Sequence, residues 1–238
     1  MSGEGALDAD ELAAKPGAWV DLALTLPIFI GYHLGVVFLH VRNASDLVTG
    51  ELLRLTEGNT SMYLLVTSAI GAVFAGGFAW LGRGHAFKTS KFVQIAIEGV
   101  IYALLMRLVG GYVVAHVFAG KVTMSGFAGL IMSMGAGFYE ELTYRVILFA
   151  VGGKLLAMLL APQMSAAKRV FWGIFWAIGC AAIFSGVHYV GPLGDVFELR
   201  TFVFRWVLGL ALTLIYWARG FAAATWAHTL YDAWILVL

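Results

Sequence analysis

Three short stretches place titratable side chains in otherwise apolar sequence. "EELTYR" carries Glu140, Glu141 and Arg145, "FSGVH" carries Phe184 and His188, and "HTLYD" carries His228 and Asp232. Each contains a four-residue spacing, which on a helix brings two side chains to one face. Glu141 can therefore pair with Arg145, while Glu140 points about 100° away and lacks a cation on its own helix. The hydroxyl of Tyr144 is its one polar neighbour there. A centrally placed charge in a membrane span costs roughly 2.5–3.5 kcal/mol on insertion scales, so such groups are structural knots or chemistry. A carboxylate without a cation is a candidate general base and acid if other polar groups meet it. A lone histidine in such a run is more often a hydrogen-bonded core residue than a catalyst. Three segments each bearing Glu, His or Asp form a far more specific set than any one member.

The elements that must carry these groups follow from composition. The 238 residues are 61% hydrophobic and 12% charged, against about 25% charged in soluble domains. Mean hydropathy is +0.87 and apolar runs long enough to span a bilayer recur along the chain. The fold class is therefore an all-α, polytopic transmembrane helical bundle. A net charge of +1, with no basic stripe, argues against nucleic acid as a partner. Cys180 is the only cysteine, which excludes an intrachain disulfide and reads as a small apolar filler.

Seven apolar segments are expected: 19–41, 62–81, 92–119, 127–160, 170–190, 202–218 and 221–238. The fourth, 34 residues long, would run about 51 Å against a hydrocarbon core of about 30 Å. Gly135, Gly137, Gly152 and Gly153 are natural places to bend or split it, which leaves an eighth span open. Residues 1–17 form a polar tail with neither a basic n-region nor a small-residue cleavage site, so they do not read as a signal peptide. A short surface helix is expected over 7–15, ended by Pro16. Residues 18–238 then form one membrane domain. With seven spans, Lys15, Arg83, Lys88, Lys91, Lys154, Lys168, Arg169 and Arg219 share the N-terminal side. Arg42, Arg54, Lys121 and Arg200 lie opposite, a bias that favours a cytoplasmic N-terminus, and the expected setting is a prokaryotic inner membrane.

The three motifs, in this order, resemble the CPBP family of intramembrane proteases. The family is named for CAAX-processing and bacteriocin-processing proteins and is also called Abi. The resemblance covers about the C-terminal half. It implies a helical core in which the motifs converge on a cavity, with Glu140 and His188 activating a water. Glu141 would pair with Arg145 and, with Phe184, support the site. His228 and Asp232 would steady the oxyanion of the tetrahedral intermediate. Many relatives carry Asn at the last position. An ionised aspartate cannot donate to an oxyanion, so Asp232 must be protonated, orient His228 or bind a metal.

Glu140, His188, His228 and Asp232 are an acceptable N/O set for Zn²⁺, although no HExxH compels that reading. A glutamate with a histidine can activate water without metal, so no cofactor is expected, with zinc as the alternative. The implied partners are the lipid bilayer and a membrane-anchored or lipidated peptide. Against the protease stand a catalytically silent immunity or peptide-binding relative and a proton-relaying transporter. The intact Glu/His/His set disfavours the first, and the lack of paired halves disfavours the second. His33, His40, His85 and His116 read as structural. Arg107, mid-span, needs a carboxylate, a carbonyl or a lipid head group, and Glu98 on the same segment faces partly elsewhere. The glycines of "GAVFAGG" read as close helix contacts.

Overall fold

The computed structural model describes residues 9–43, 46–115, 126–160, 164–191 and 194–237. His116 and Lys121 lie outside them. Every regular element described is helical: α1 (Ala9–Ala13), α2 (Ala18–Leu39), α3 (Leu47–Leu55), α4 (Thr60–Leu81), α5 (Thr89–Ala115), α6 (Gly126–Gly135), a π-helix (Ala136–Gly152), α7 (Gly153–Leu160), α8 (Ala166–Val187), α9 (Leu199–Arg219) and α10 (Phe221–Val237).

Six of the described helical stretches are long and apolar enough to cross a membrane, and the protein is an integral membrane protein. Besides these, α10 has 17 residues spanning about 25 Å, at the short end for a bilayer, which leaves the count approximately consistent with the seven segments read from the sequence. The fourth segment stays one continuous helix from Gly126 to Leu159 and does not split into two spans. Its glycines mark changes of winding instead of breaks: the chain passes from α to π after Gly135 and back to α after Gly152.

At the centre stands α10, packed against α2, α5, α6, the π-helix and α9. Ala222, Ala223, Ala224 and Ala227 are completely buried. Their small side chains let neighbouring backbones approach closely, which is how helices associate where lipid removes the hydrophobic drive. By contrast, α4 is peripheral and leans chiefly on α2. Of its glycines, Gly71 packs on Phe29 as a contact residue should, whereas Gly76 and Gly77 face open space.

Two features depart from the sequence reading. The first loop contains α3, whose N-cap Asp46 accepts from the Thr49 amide at 2.9 Å and from the Tyr32 hydroxyl at 2.6 Å. Burial raises the Asp46 carboxyl above the usual carboxylate range despite those donors. Arg219, expected in a solvated turn, is buried and forms a bidentate pair with Glu98 at 2.6 and 2.8 Å. It also donates to the Ala13 and Ala14 carbonyls, and Lys91 and Gln94 hold those of Glu11 and Leu12. The tail is thereby strapped across one end of the bundle, and its helix, described from Ala9, ends at Ala13.

Candidate active site

The π-helix, α8 and α10 supply the polar residues. A π turn closes i→i+5 hydrogen bonds and is usually a single-turn bulge, frequent at functional sites. Here it runs for 17 residues, and its first six, Ala136 to Glu141, are all buried. Gly137 permits this packing. A Cβ there would strike the Thr229 hydroxyl and lie 2.8 Å from the Thr225 carbonyl, so no side chain fits between the π-helix and α10.

Glu141 and Arg145 form the expected pair, Oε1 to Nη1 at 3.0 Å, with 0% and 1% side-chain exposure. The contact is an ion pair without hydrogen-bond alignment, since Nη1 and Nε of Arg145 and Oε2 of Glu141 have no hydrogen-bond partner. Arg145 is held further by Nη2 to the Gly209 carbonyl at 3.2 Å and by the Phe184 ring, 4.5 Å from the guanidinium carbon.

His228 reaches the same carboxylate from α10. Its Nδ1 lies 2.7 Å from Glu141 Oε1, while its Nε2 faces Asp232 at 3.5 Å and Glu140 at 3.9 Å. One imidazole thus bridges two successive glutamates. A carboxylate only accepts, so Nδ1 carries the proton shared with Glu141 and Nε2 is the atom turned toward the rest of the site. Glu140 makes no hydrogen bond and has no cation within ion-pair reach except His228. The Tyr144 hydroxyl does not bond it; that ring packs edge-on against Phe184 at 5.2 Å.

His188 ends α8 and donates Nδ1–H to the Phe184 carbonyl at 2.8 Å, leaving Nε2 as an acceptor. The Phe184 ring touches both histidines, with centroids 5.2 Å from His188 and 6.2 Å from His228. His188 makes no hydrogen bond to Glu140, His228 or Asp232. Among the described residues, no group of three or more His, Cys, Asp or Glu side chains is arranged to hold a metal ion. The set Glu140, His188, His228 and Asp232 is therefore not gathered into one ligand shell. His228 already spends Nδ1 on Glu141, and His188 stands apart across Phe184.

Residues 122–234 match the family described as type II CAAX prenyl endopeptidase, Rce1-like. That part of the chain is similar to the CAAX-protease family. No curated protein and no solved structure matches it. The CAAX-protease match takes in the π-helix, α8, α9 and the turn of α10 that carries Asp232, and leaves α2, α4 and α5 outside. This is a family of membrane proteases, so a membrane-associated peptide is the class of substrate its members imply.

Several residues around this candidate site escaped the sequence reading. Thr225 and Thr229 lie four residues apart on α10 on either side of His228, and their buried hydroxyls lack hydrogen-bond partners. Thr225 precedes His228 by three residues and Thr229 precedes Asp232 by three, and that spacing was the available signal. His33, read as isolated, is clamped by the Tyr63 and Tyr139 hydroxyls, each at 2.6 Å, and Tyr139 directly precedes Glu140. The partners lie 30 and 106 residues away, so nothing local announces them.

Proposed function

We propose that the protein is an intramembrane endopeptidase that hydrolyses a peptide bond of a membrane-anchored or lipidated peptide, with Glu140 as the base that activates water. The observation that carries this reading is the unequal use of two adjacent glutamates. Glu141 is committed to Arg145 and His228, whereas Glu140 is buried with only the Nε2 edge of His228 before it.

In this mechanism Glu140 takes a proton from a water bound between itself and His228. The resulting hydroxide attacks the scissile carbonyl carbon, and negative charge develops on the carbonyl oxygen. His228, carrying a proton on Nε2, donates to that oxyanion, and Asp232 orients the ring or, when protonated, donates beside it. Glu140 then delivers its proton to the departing amine nitrogen as the C–N bond breaks. His188 holds the water or substrate through Nε2 from the far side of Phe184. Glu141, Arg145 and Phe184 hold His228 and the π-helix in place.

The test is a mass-spectrometric comparison of membrane peptides from cells making the wild-type protein and cells making Glu140→Ala at equal levels. Peptides cleaved only in the wild type are expected. Identical peptide sets from both, with both proteins inserted, would end the proteolytic reading.

A further inference from the structure

We propose that the cavity where the N-terminal tail meets α2, α4 and the α9–α10 turn binds one phosphatidylethanolamine, a lipid whose headgroup carries both a phosphate and a primary ammonium. This site is separate from the candidate active site and stands whether or not the protein is a protease. The cavity holds about 330 Å³, within the range of about 300–1,000 Å³ usual for small-molecule sites. Its apolar lining includes Phe74 and Phe78 of α4 and Leu142 and Val146 of the π-helix. Its polar lining is Lys15 of the tail, Asp21 of α2 and Tyr216 of α9. Because α4 packs chiefly on α2, the gap between its Phe74–Phe78 turn and the Leu142–Val146 turn of the π-helix is left for a lipid chain.

Each polar group has bonding capacity left. Asp21 accepts from the Ala222 amide through Oδ1 at 2.8 Å, and its Oδ2 has no hydrogen bond or ion pair among the described residues. Lys15 and the Tyr216 hydroxyl likewise make no hydrogen bond there, and Lys15 and Asp21 line one cavity without forming an ion pair. An ammonium only donates and a carboxylate only accepts, so a ligand that serves both brings an anion and an N–H cation together. A phosphate on Lys15 and Tyr216, with an ammonium on Asp21, meets that demand. Phosphatidylglycerol offers Asp21 no cation, and the quaternary ammonium of phosphatidylcholine has no N–H to donate. The depth is right for a headgroup. Trp19 begins α2, while Trp80 and Trp217, each 64% exposed, stand at the ends of α4 and α9, an aromatic belt at this face of the bundle. Leu142 and Val146 directly follow Glu141 and Arg145, so the bound acyl chain packs on the helix that carries the candidate base.

The experiment uses full-length protein purified in detergent and counts bound lipid by native mass spectrometry. Its probes are phosphatidylethanolamine, phosphatidylcholine and phosphatidylglycerol with the same acyl chains, added singly and in equimolar pairs. The wild type should hold one phosphatidylethanolamine about fivefold or more tighter than either of the others. Asp21→Asn keeps an oxygen for the Ala222 amide and should bring the ethanolamine-to-choline ratio near one. Lys15→Gln should weaken both of those lipids and leave their ratio in place, because both carry the phosphate. Equal binding of the ethanolamine and choline lipids by the wild type would overturn the proposal, and that comparison holds even if Asp21→Asn does not fold. A ratio that survives in folded Asp21→Asn would also overturn it, as would an unchanged affinity in Lys15→Gln. Tighter binding of phosphatidylglycerol than of phosphatidylethanolamine would make the cavity a site for anionic headgroups and reject the assignment. Selective ethanolamine-lipid binding by a wild type that cleaves no peptide would uphold this site and reject the protease.

Discussion

Two buried histidine clusters share the π-helix, and they differ in what surrounds the ring. His33 lies between two tyrosine hydroxyls, at 2.6 Å on each nitrogen, with one neutral donor or acceptor for each ring position. His228 lies among three carboxylates, one at hydrogen-bond distance and two at 3.5 and 3.9 Å. Tyr139 ends the first cluster and Glu140 begins the second. The tyrosine cluster gives both ring nitrogens of His33 a hydrogen-bond partner, as buried polar groups in a structural role have. The carboxylate cluster leaves Glu140, one oxygen of Glu141 and two buried threonine hydroxyls without hydrogen bonds. Polar atoms left unsatisfied inside a bundle are expensive, and this cluster lies within the segment matched by the protease family.

The sharpest way to break the contrast is to compare the two glutamates. Glu140→Ala should remove proteolysis by three orders of magnitude or more, about 4 kcal/mol of barrier, with thermal stability close to wild type. Glu141→Ala should instead lower stability by roughly 3–5 kcal/mol, because it strands Arg145 in a desolvated site. Thermal unfolding of both variants in one detergent checks this, and equal stabilities would abolish the division of labour.

Next comes His228→Ala, which should lose about 2.7–4 kcal/mol of transition-state stabilisation, read in kcat with KM little changed. A variant that binds substrate weakly but turns over normally would move His228 out of the chemistry.

His33→Phe tests the other cluster. It should cost about 1–3 kcal/mol of stability by orphaning the Tyr63 and Tyr139 hydroxyls. Turnover per folded molecule should stay within a few-fold of wild type; a loss on the scale of Glu140→Ala would merge the two clusters into one functional unit.

The smallest effect is expected for Asp232→Asn, which keeps the shape and supplies an amide donor. Activity should remain substantial and insensitive to chelators. An inactive variant that has also lost stoichiometric zinc by elemental analysis would make Asp232 a metal ligand.

Much of this was legible in one dimension because membranes punish exceptions. Seven apolar runs announce a bundle of membrane-spanning helices, six of them long and apolar enough among the described residues, and charge inside them is rare enough that Glu140, Glu141, Arg145, His188, His228 and Asp232 could be picked out by type and spacing alone. The Glu141–Arg145 pair is local, four residues apart, and needs no knowledge of neighbouring helices. What tertiary structure decided is which long-range partner each group meets. His228 engages Glu141 by Nδ1 across 87 residues, Glu98 turns to Arg219 across 121, and Arg107 is left with Trp234. The π winding is likewise invisible to a period-3.6 reading, since the apolar pattern records burial and the first six residues of this stretch are buried on every side. Helix existence is a local balance of hydropathy and backbone hydrogen bonding, whereas the pairing of buried charges depends on the rotation and depth of whole helices, set by close contacts such as Gly137 against Thr229.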